Sequence, residues 1–304
     1  MSLSTQPPFH PWPKHFPSMT HQVLIADSGS TKTEWVLLQD SEITVRTTTQ
    51  GINPFMLDVS EIESILRTEL LPHLKESGPI DDIHFYGAGC RGTMTRVVSD
   101  ALHHVLDVRG RVEVESDLLG AARGVCGHTD GLACILGTGS NSCLFVNGTI
   151  RENVSPLGFI LGDEGSGAVL GRRLVGDVLK HQLPESVVED FHLQYGMPAD
   201  DIIRRVYKET FPNRFLASFT PFLSAHRTEP SIHTLLVDEF CRFFHRNVDH
   251  YRRKDLGVNL VGSIAFHFRA EVEEAARLCG YTVGTTLKAP MDGLVEFHRA
   301  AEEH

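Results

Sequence analysis

The 304-residue chain lacks any run of about 18 apolar residues, which excludes a membrane-spanning helix. It has no CxxC pair, no zinc-type cysteine spacing and no HExxH, which removes the commonest metal-site signatures. Basic residues are scarce. The 28 Lys and Arg stand against 39 Asp and Glu, and the formal charge of −11 has the wrong sign for a general nucleic-acid scaffold. No nucleic-acid or membrane partner is therefore expected. A phosphate-bearing ligand remains compatible, because Mg²⁺ and backbone N–H groups can oppose the global field locally. The first 18 residues hold five prolines and no apolar h-region, so they do not read as a secretory signal. They are expected to form a flexible extension, with Met19 as an alternative start. The six cysteines (90, 126, 134, 143, 241 and 279) are expected to be free thiols in a reducing cytoplasm. Cys134 and Cys143 flank an expected hairpin, a weak reason for a disulfide.

What the chain does have is an ordinary globular composition, 41% hydrophobic and 22% charged, and an order of elements that occurs twice. His21–Asp27, Glu34–Gln39 and Ile43–Thr48 read as a three-strand meander. Val59–Leu74 has helical spacing, with Pro72 expected to bend or end it. A strand at Asp82–Tyr86, a helix at Thr93–Leu106, a strand at Arg111–Glu115 and a short helix at Leu118–Val125 complete a βββαβαβα unit. The pattern restarts with strands at Gly131–Leu136, Asn141–Val146 and Gly148–Glu152 and a helix expected over Asp163–Lys180. Helical segments follow, then a strand at Leu256–Val261, a helix at Phe268–Leu278, a short strand at Tyr281–Gly284 and a final helix from Met291. The expected organisation is an extension over 1–18, one lobe over 19–120, a second over 121–288 and a C-terminal helix over 289–304, an α/β architecture with a cleft between two lobes.

Each half opens on a strand, a Gly-Ser turn and a second strand. The first turn, Asp27-Ser28-Gly29-Ser30-Thr31-Lys32-Thr33, is not a P-loop, because Thr31 stands where a Walker A needs Gly and a strand follows. Such a strand–turn–strand can present N–H groups and hydroxyls to a phosphate, the alternative being a plain surface hairpin. Asp27 at the strand end is placed to hold Mg²⁺, directly or through water. The second turn, Gly137-Thr138-Gly139-Ser140, is glycine-rich enough for close backbone approach. Together the turns suit one polyphosphate gripped from two sides.

Tyr86–Gly92 matches GxGxxG formally, but three strands and a helix precede it. It reads better as a glycine-rich strand end, with Gly89 approaching a substrate. Asp117 follows a strand and opens a helix, so it reads either as a helix cap or as a carboxylate that deprotonates a substrate hydroxyl. In Leu157–Gly167, four of eleven residues are Gly and Asp163-Glu164 is an acidic pair. That pair suits either a helix dipole or the hydroxyls of a sugar. The basic helix Arg242–Arg253 reads as a solvated face.

DSGSTKTEW, Asn53-Pro54, Ser116-Asp117, GTGSN, LGDEGSG and Val261–Ser263 occur in an order that resembles the N-acetylglucosamine kinase branch of the BadF/BadG/BcrA/BcrD group, within the sugar kinase, Hsp70 and actin superfamily. The resemblance spans Val23 to His298. It implies two ribonuclease-H-like (actin-like ATPase) lobes with a nucleotide and sugar cleft between them, using ATP and Mg²⁺. It places Ser30, Thr31, Lys32, Gly137, Thr138, Gly139 and Ser140 at phosphates, and Gly262 and Ser263 at adenosine. It places Asn53, Asp117, Gly158 and Asp163 around an amino sugar, with Asp117 as base, and the readings above add Gly89 and Glu164. The implied reaction is 6-phosphorylation of N-acetylglucosamine or N-acetylmuramic acid, by a cytoplasmic enzyme for which a homodimer stays open. Pro156-Leu157-Gly158 departs from the Gly-Trp-Gly of relatives of the mammalian enzyme, and this bears on which sugar fits. The alternatives are an iron–sulfur ATPase activator of a 2-hydroxyacyl-CoA dehydratase, whose CAAGTG-type cysteine contexts are absent, and a non-catalytic sugar sensor.

Overall fold

The structure, a computed structural model, describes residues 20–29 and 31–302. The expected extension over 1–18 lies outside the described residues. Among the described residues no helix is long and apolar enough to cross a membrane.

Among the described residues, ten strands form two five-stranded sheets. The first contains β1 (Gln22–Ser28), β2 (Lys32–Gln39), β3 (Glu42–Gln50), β4 (Asp82–Gly87) and β5 (Val112–Ser116), in the order β3-β2-β1-β4-β5. The second contains β6 (Gly131–Leu136), β7 (Ser140–Val146), β8 (Thr149–Val154), β9 (Val258–Val261) and β10 (Val283–Leu287), in the order β10-β9-β6-β7-β8. The two orders are the same winding. In each, the first three strands form an antiparallel meander and the last two join in parallel through helical crossovers. The duplication read from the strand–turn–strand openings is thus real at the level of topology.

Parallel pairing puts the carboxyl ends of β1, β4 and β5 on one edge, with Ser28, Gly87 and Ser116 in register. The second sheet repeats this, with Ile135, Val261 and Leu287 aligned. Loops that leave such edges face one crevice.

Alternation along the strands gives each sheet two apolar faces. Leu24 and Ala26 pack under Ile62, Leu66, Leu70, Val98 and Leu102 of the helices that follow β3 and β4. Val23 and Ile25 point the other way, to Met291, Leu294 and Val295 of the C-terminal helix Met291–Glu302. In the second sheet, Leu132, Cys134 and Leu136 meet a large helical core that includes Leu170, Phe219, Phe240 and Phe244. Ala133, Cys143 and Phe145 meet Leu118, Ala121, Ala122 and Val125 of the helix Asp117–Cys126. Each inner face is therefore covered by a helix from across the chain, and a boundary at 120 cuts through one of them. The two covering helices cross where a Cβ on Gly293 would lie 1.9 Å from the Gly124 carbonyl oxygen, so only glycines permit the approach.

Local departures from expectation have local causes. Pro72 does not end its helix. A π-helical turn, Leu66–Leu70, precedes it, and the helix finishes as Leu71–Leu74. The wider turn accommodates the missing proline N–H. The helix expected from Asp163 begins instead at Gly167, capped by the Ser166 side chain on Val169 N–H. Asp163 has φ +53 and Gly165 φ +71, values that belong to a turn. Cys134 and Cys143 are free and sit in different cores on opposite faces of their sheet, so they cannot bridge.

Candidate active site

The first turn is braced from below. Ser28 and Thr33 are fully buried, and their hydroxyls lie 2.7 Å apart. Ser28 Oγ also donates to the Ile52 carbonyl and accepts from the Ile52 N–H. This ties the turn to the segment that carries Asn53. Gly29 N–H donates to the Lys32 carbonyl at 3.0 Å and closes the hairpin, while Thr31 and Lys32 are exposed at its tip. Ser30 lies outside the described residues.

Gly89, with φ +84, sits directly against Asn53. A Cβ there would be 2.4 Å from Asn53 Oδ1 and 2.8 Å from the Phe55 ring. The glycine is needed for this approach, and Asn53 Oδ1 meanwhile accepts from Phe55 N–H. The GxGxxG segment is thus a strand end packed on the Asn53 loop.

Asp117 is the first residue of its helix rather than the cap. Ser116 Oγ accepts the Leu119 N–H, so the capping role belongs to Ser116 and the Asp117 side chain is not needed for it. Asp117 Oδ1 accepts from Leu118 N–H at 2.9 Å. Burial raises its carboxyl above the usual range, with that hydrogen bond and Arg91 opposing. Asp27, near the end of β1 and separated from β5 by β4, is pushed up to about 7 by burial, then by Asp117 and Glu34, with Lys32 opposing. Two half-buried carboxylates at one sheet edge, with the charge of Asp117 bearing on Asp27, form a donor set suited to a cation. Among the described residues no three His, Cys, Asp or Glu side chains converge to hold a metal by themselves. That pattern fits Mg²⁺, which takes one or two carboxylates and fills its remaining positions with water and phosphate oxygens.

Across the cleft, the second turn is docked onto a helix. The carbonyls of Gly137 and Thr138 accept from Gly167 and Ala168 N–H at 2.8 and 3.1 Å, the first turn of the helix Gly167–Leu179. With these carbonyls occupied, and Gly137 N–H donating to the Gly139 carbonyl at 2.9 Å, the exposed Thr138 side chain is what the tip of the turn offers a ligand. Ser140 differs from its expected role. It is buried at the start of β7, and its N–H donates to the Asp163 carboxylate, so it positions Asp163. Burial raises the Asp163 carboxyl, that bond lowers it, and Glu164 raises it again. A Cβ on Gly139 would be 3.1 Å from Asp163 Oδ2, so the second turn and the Asp163 carboxylate share one wall.

Glu164 corrects the expectation. It is buried and turned away from the cleft, paired with Arg246 and accepting from Asn247 Nδ2 at 3.2 Å. It fastens the loop to the helix Pro230–Arg246, and nothing places it toward a sugar. Arg246 itself stays exposed, as the solvated reading of its segment expects, and reaches Glu164 from the surface. Gly158 opens a short helix, Gly158–Leu161, at φ +75 with open space around it. Leu157 before it is strained at φ +62, and its side chain is 59% exposed.

Gly262 (φ +125) crosses directly over the end of β6, where a Cβ would be 2.2 Å from the Leu136 carbonyl oxygen. Ser263 then lines a cavity of about 300 Å³ with Thr220, Pro221, Ser224, His267 and Phe268. The helix Thr220–Ala225 that supplies half of this lining carries no motif and was not legible in the sequence. Arg91, which faces Asp117 electrostatically, was also missed, although it lies inside the glycine-rich strand end. A second opening, about 390 Å³, lies between the lobes, with Cys90, Arg91 and Ser116 on one side and Ile150 and Asn153 on the other.

No family model and no curated protein matches the chain. Solved structures do. A crystal structure from Porphyromonas gingivalis, of a protein provisionally named an N-acetylglucosamine kinase, shares 47% identity over 92% of this chain and 99% of that one, with a TM-score of 0.87. A protein from Chromobacterium violaceum with the same provisional name shares 17% identity over 91% and 98%, at a TM-score of 0.69. The ROK hexokinase of Thermus thermophilus shares 15% over 93% and 98%, at 0.53. The last two show the fold alone, two lobes of the actin-like ATPase kind. The first relationship is close and nearly full-length, and on it the chain belongs to the N-acetylglucosamine kinase-like family of the sugar kinase and actin superfamily.

Proposed function

We propose that the protein is an ATP-dependent sugar kinase that phosphorylates the primary hydroxyl of an N-acylated hexosamine, N-acetylglucosamine or N-acetylmuramic acid, giving the 6-phosphate. The observation that carries the reading is the pair of glycine-bearing turns that open two identically wound sheets, with Asp27 and Asp117 at the carboxyl edge of the first sheet and Asp163 against the turn of the second. The name of the 47% identical relative supports the same substrate class.

The residues divide the work. The cavity beside Ser263 receives the adenosine, and the turns at 29–32 and 137–139 receive the phosphates, with Thr138 near the transferred group. Asp27 would hold Mg²⁺, which supplies charge neutralisation between phosphate oxygens. Asn53, Asp117, Gly158 and Asp163 are assigned to the sugar. Asp117 accepts the proton of the attacking hydroxyl. Its raised basicity, imposed first by burial, brings a carboxylate closer to the range where a general base works. Phosphoryl transfer otherwise demands positioning and charge stabilisation, which lobes closing over a dry cleft provide.

The test is sugar-stimulated ADP release measured across glucose, glucosamine, N-acetylglucosamine and N-acetylmuramic acid. Release above the sugar-free rate with an N-acylated hexosamine is expected, and none with any of them would overturn the reading. Asp117→Asn should keep the fold and ATP binding while kcat falls ~10²–10⁴-fold. Asp163→Asn should lose mainly in KM for the sugar. Near-wild-type turnover in Asp117→Asn would remove Asp117 as the base.

A further inference from the structure

Away from the cleft, the carboxyl half of the helix Pro230–Arg246 packs on the end of the helix Arg269–Leu278. Cys241 and His245 stand one turn apart on the first helix, and Cys279 ends the second. The two residues meet there, with Cys279 Sγ 4.0 Å from the Cys241 carbonyl oxygen and Cys241 Sγ 3.9 Å from the Ala275 carbonyl oxygen one turn before Cys279. His245 Nε2 is 3.6 Å from Cys279 Sγ. His245 Nδ1 is 3.0 Å from Asp249 Oδ2. The other Asp249 oxygen accepts from Tyr281 OH at 2.7 Å and lies 3.7 Å from Lys254 Nζ.

We propose that Cys241 and Cys279 form a dithiol modification site that a peroxide converts to a disulfide, with His245 as the base and Asp249 as its orienting group. The carboxylate fixes the imidazole. Burial opposes its charge, but His245, Tyr281 and Lys254 together hold Asp249 below the usual carboxyl range, so it remains an acceptor. An acceptor on Nδ1 keeps the proton there and leaves the Nε2 lone pair facing the Cys279 thiol. This is the nucleophile, base and orienter order of an activated cysteine.

Exposure divides the roles of the two sulfurs. Cys241 is partly exposed and meets the oxidant, whereas Cys279 is 6% exposed. In the first step, Cys241 sulfur attacks one peroxide oxygen and the O–O bond breaks. The sulfur is oxidised to a sulfenic acid, and the peroxide is reduced to water. In the second, His245 takes the Cys279 proton, the Cys279 thiolate attacks Cys241 sulfur, and the departing hydroxide receives that proton as a second water. The base matters because burial, followed by Cys241 and Asp249, pushes the Cys279 thiol up to about 12 against the opposing Lys254. A resident thiolate is therefore scarce, and the proton must be taken during attack. Cys90, Cys126, Cys134 and Cys143 are buried free thiols and serve as internal controls.

The experiment exposes the full chain to hydrogen peroxide, blocks remaining thiols after denaturation, and maps peptides by mass spectrometry without reduction. The expected product is a Cys241–Cys279 cross-link that is two hydrogens lighter and reversed by dithiothreitol, with the other four cysteines alkylated. In Cys279→Ser, a sulfenic acid trapped by dimedone should accumulate on Cys241. In His245→Gln, closure should slow by at least ~10-fold while the sulfenic acid persists. Native protein in which Cys241 oxidises without ever bridging to Cys279, or in which both remain thiols while core cysteines react, would overturn the proposal. The wild-type map needs no variant to fold, and an unchanged closing rate in His245→Gln would remove the base.

Discussion

His298 on the C-terminal helix should make the protein sensitive to mild acid. Its ring is buried, stacked on His84 at 4.0 Å, and its Nε2 lies 3.0 Å from Tyr86 OH. Arg123 Nη1 donates to that same hydroxyl at 2.6 Å, so the tyrosine proton is directed to His298, whose Nε2 must accept. A second proton on the ring would remove that acceptor. Burial first, then His84 and Arg123, hold the group at about 3, against 6.5 for a free imidazole. A depressed histidine is neutral in the folded state but charged in the unfolded state between those values. Stability is therefore complete above the unfolded value and falls as the pH drops below it. At pH 5 the unfolded group is almost fully protonated and the folded one is not, a loss of about 2 kcal/mol relative to pH 8. Because the native ring is already neutral at pH 5, the unfolded value alone sets this figure. Urea midpoints of the wild type and of His298→Gln, taken at pH 8 and pH 5, isolate the contribution from carboxylates common to both. The wild type should lose about 2 kcal/mol more than the variant over that interval. Equal losses would mean that His298 takes up a proton in the folded protein, and the buried-acceptor argument would fail.

The Glu164 clamp predicts an asymmetry. Arg246→Ala leaves a buried carboxylate with Asn247 as its remaining partner and should cost about 2 kcal/mol, whereas Glu164→Gln frees a half-exposed arginine to solvent and should cost less. In urea titrations the reverse order would refute the clamp, as would a KM for sugar rising in Glu164→Gln as much as in Asp163→Asn. Gly262→Ala forces a methyl group to 2.2 Å from a carbonyl at φ +125, so it should lower Tm and weaken nucleotide binding together. Wild-type values of both, measured by thermal melts and calorimetric titration, would show that the crossing has room.

Most elements were legible in the sequence because their signals are local. Alternating Val, Ile and Leu between glycine turns marked β1, β2, β6 and β7 to within a residue or two, and the repeat of that pattern marked the duplication. Asp27, Asp117 and Gly137–Gly139 could be singled out in the sequence because a strand end is itself a local feature. What only the tertiary structure decided depends on partners far apart in the chain. Glu164 reads like Asp163 in sequence, yet its partner Asn247 lies 83 residues away, and that contact turns one acid of the pair into a fastener. Ser140 became a support for Asp163 because a turn at φ +53 brings the carboxylate back over β7. The exchange of covering helices between the sheets was hidden for the same reason. Periodicity shows that a helix has an apolar face but not which sheet receives it, and here that was decided by two glycines that let the helices Asp117–Cys126 and Met291–Glu302 cross in contact.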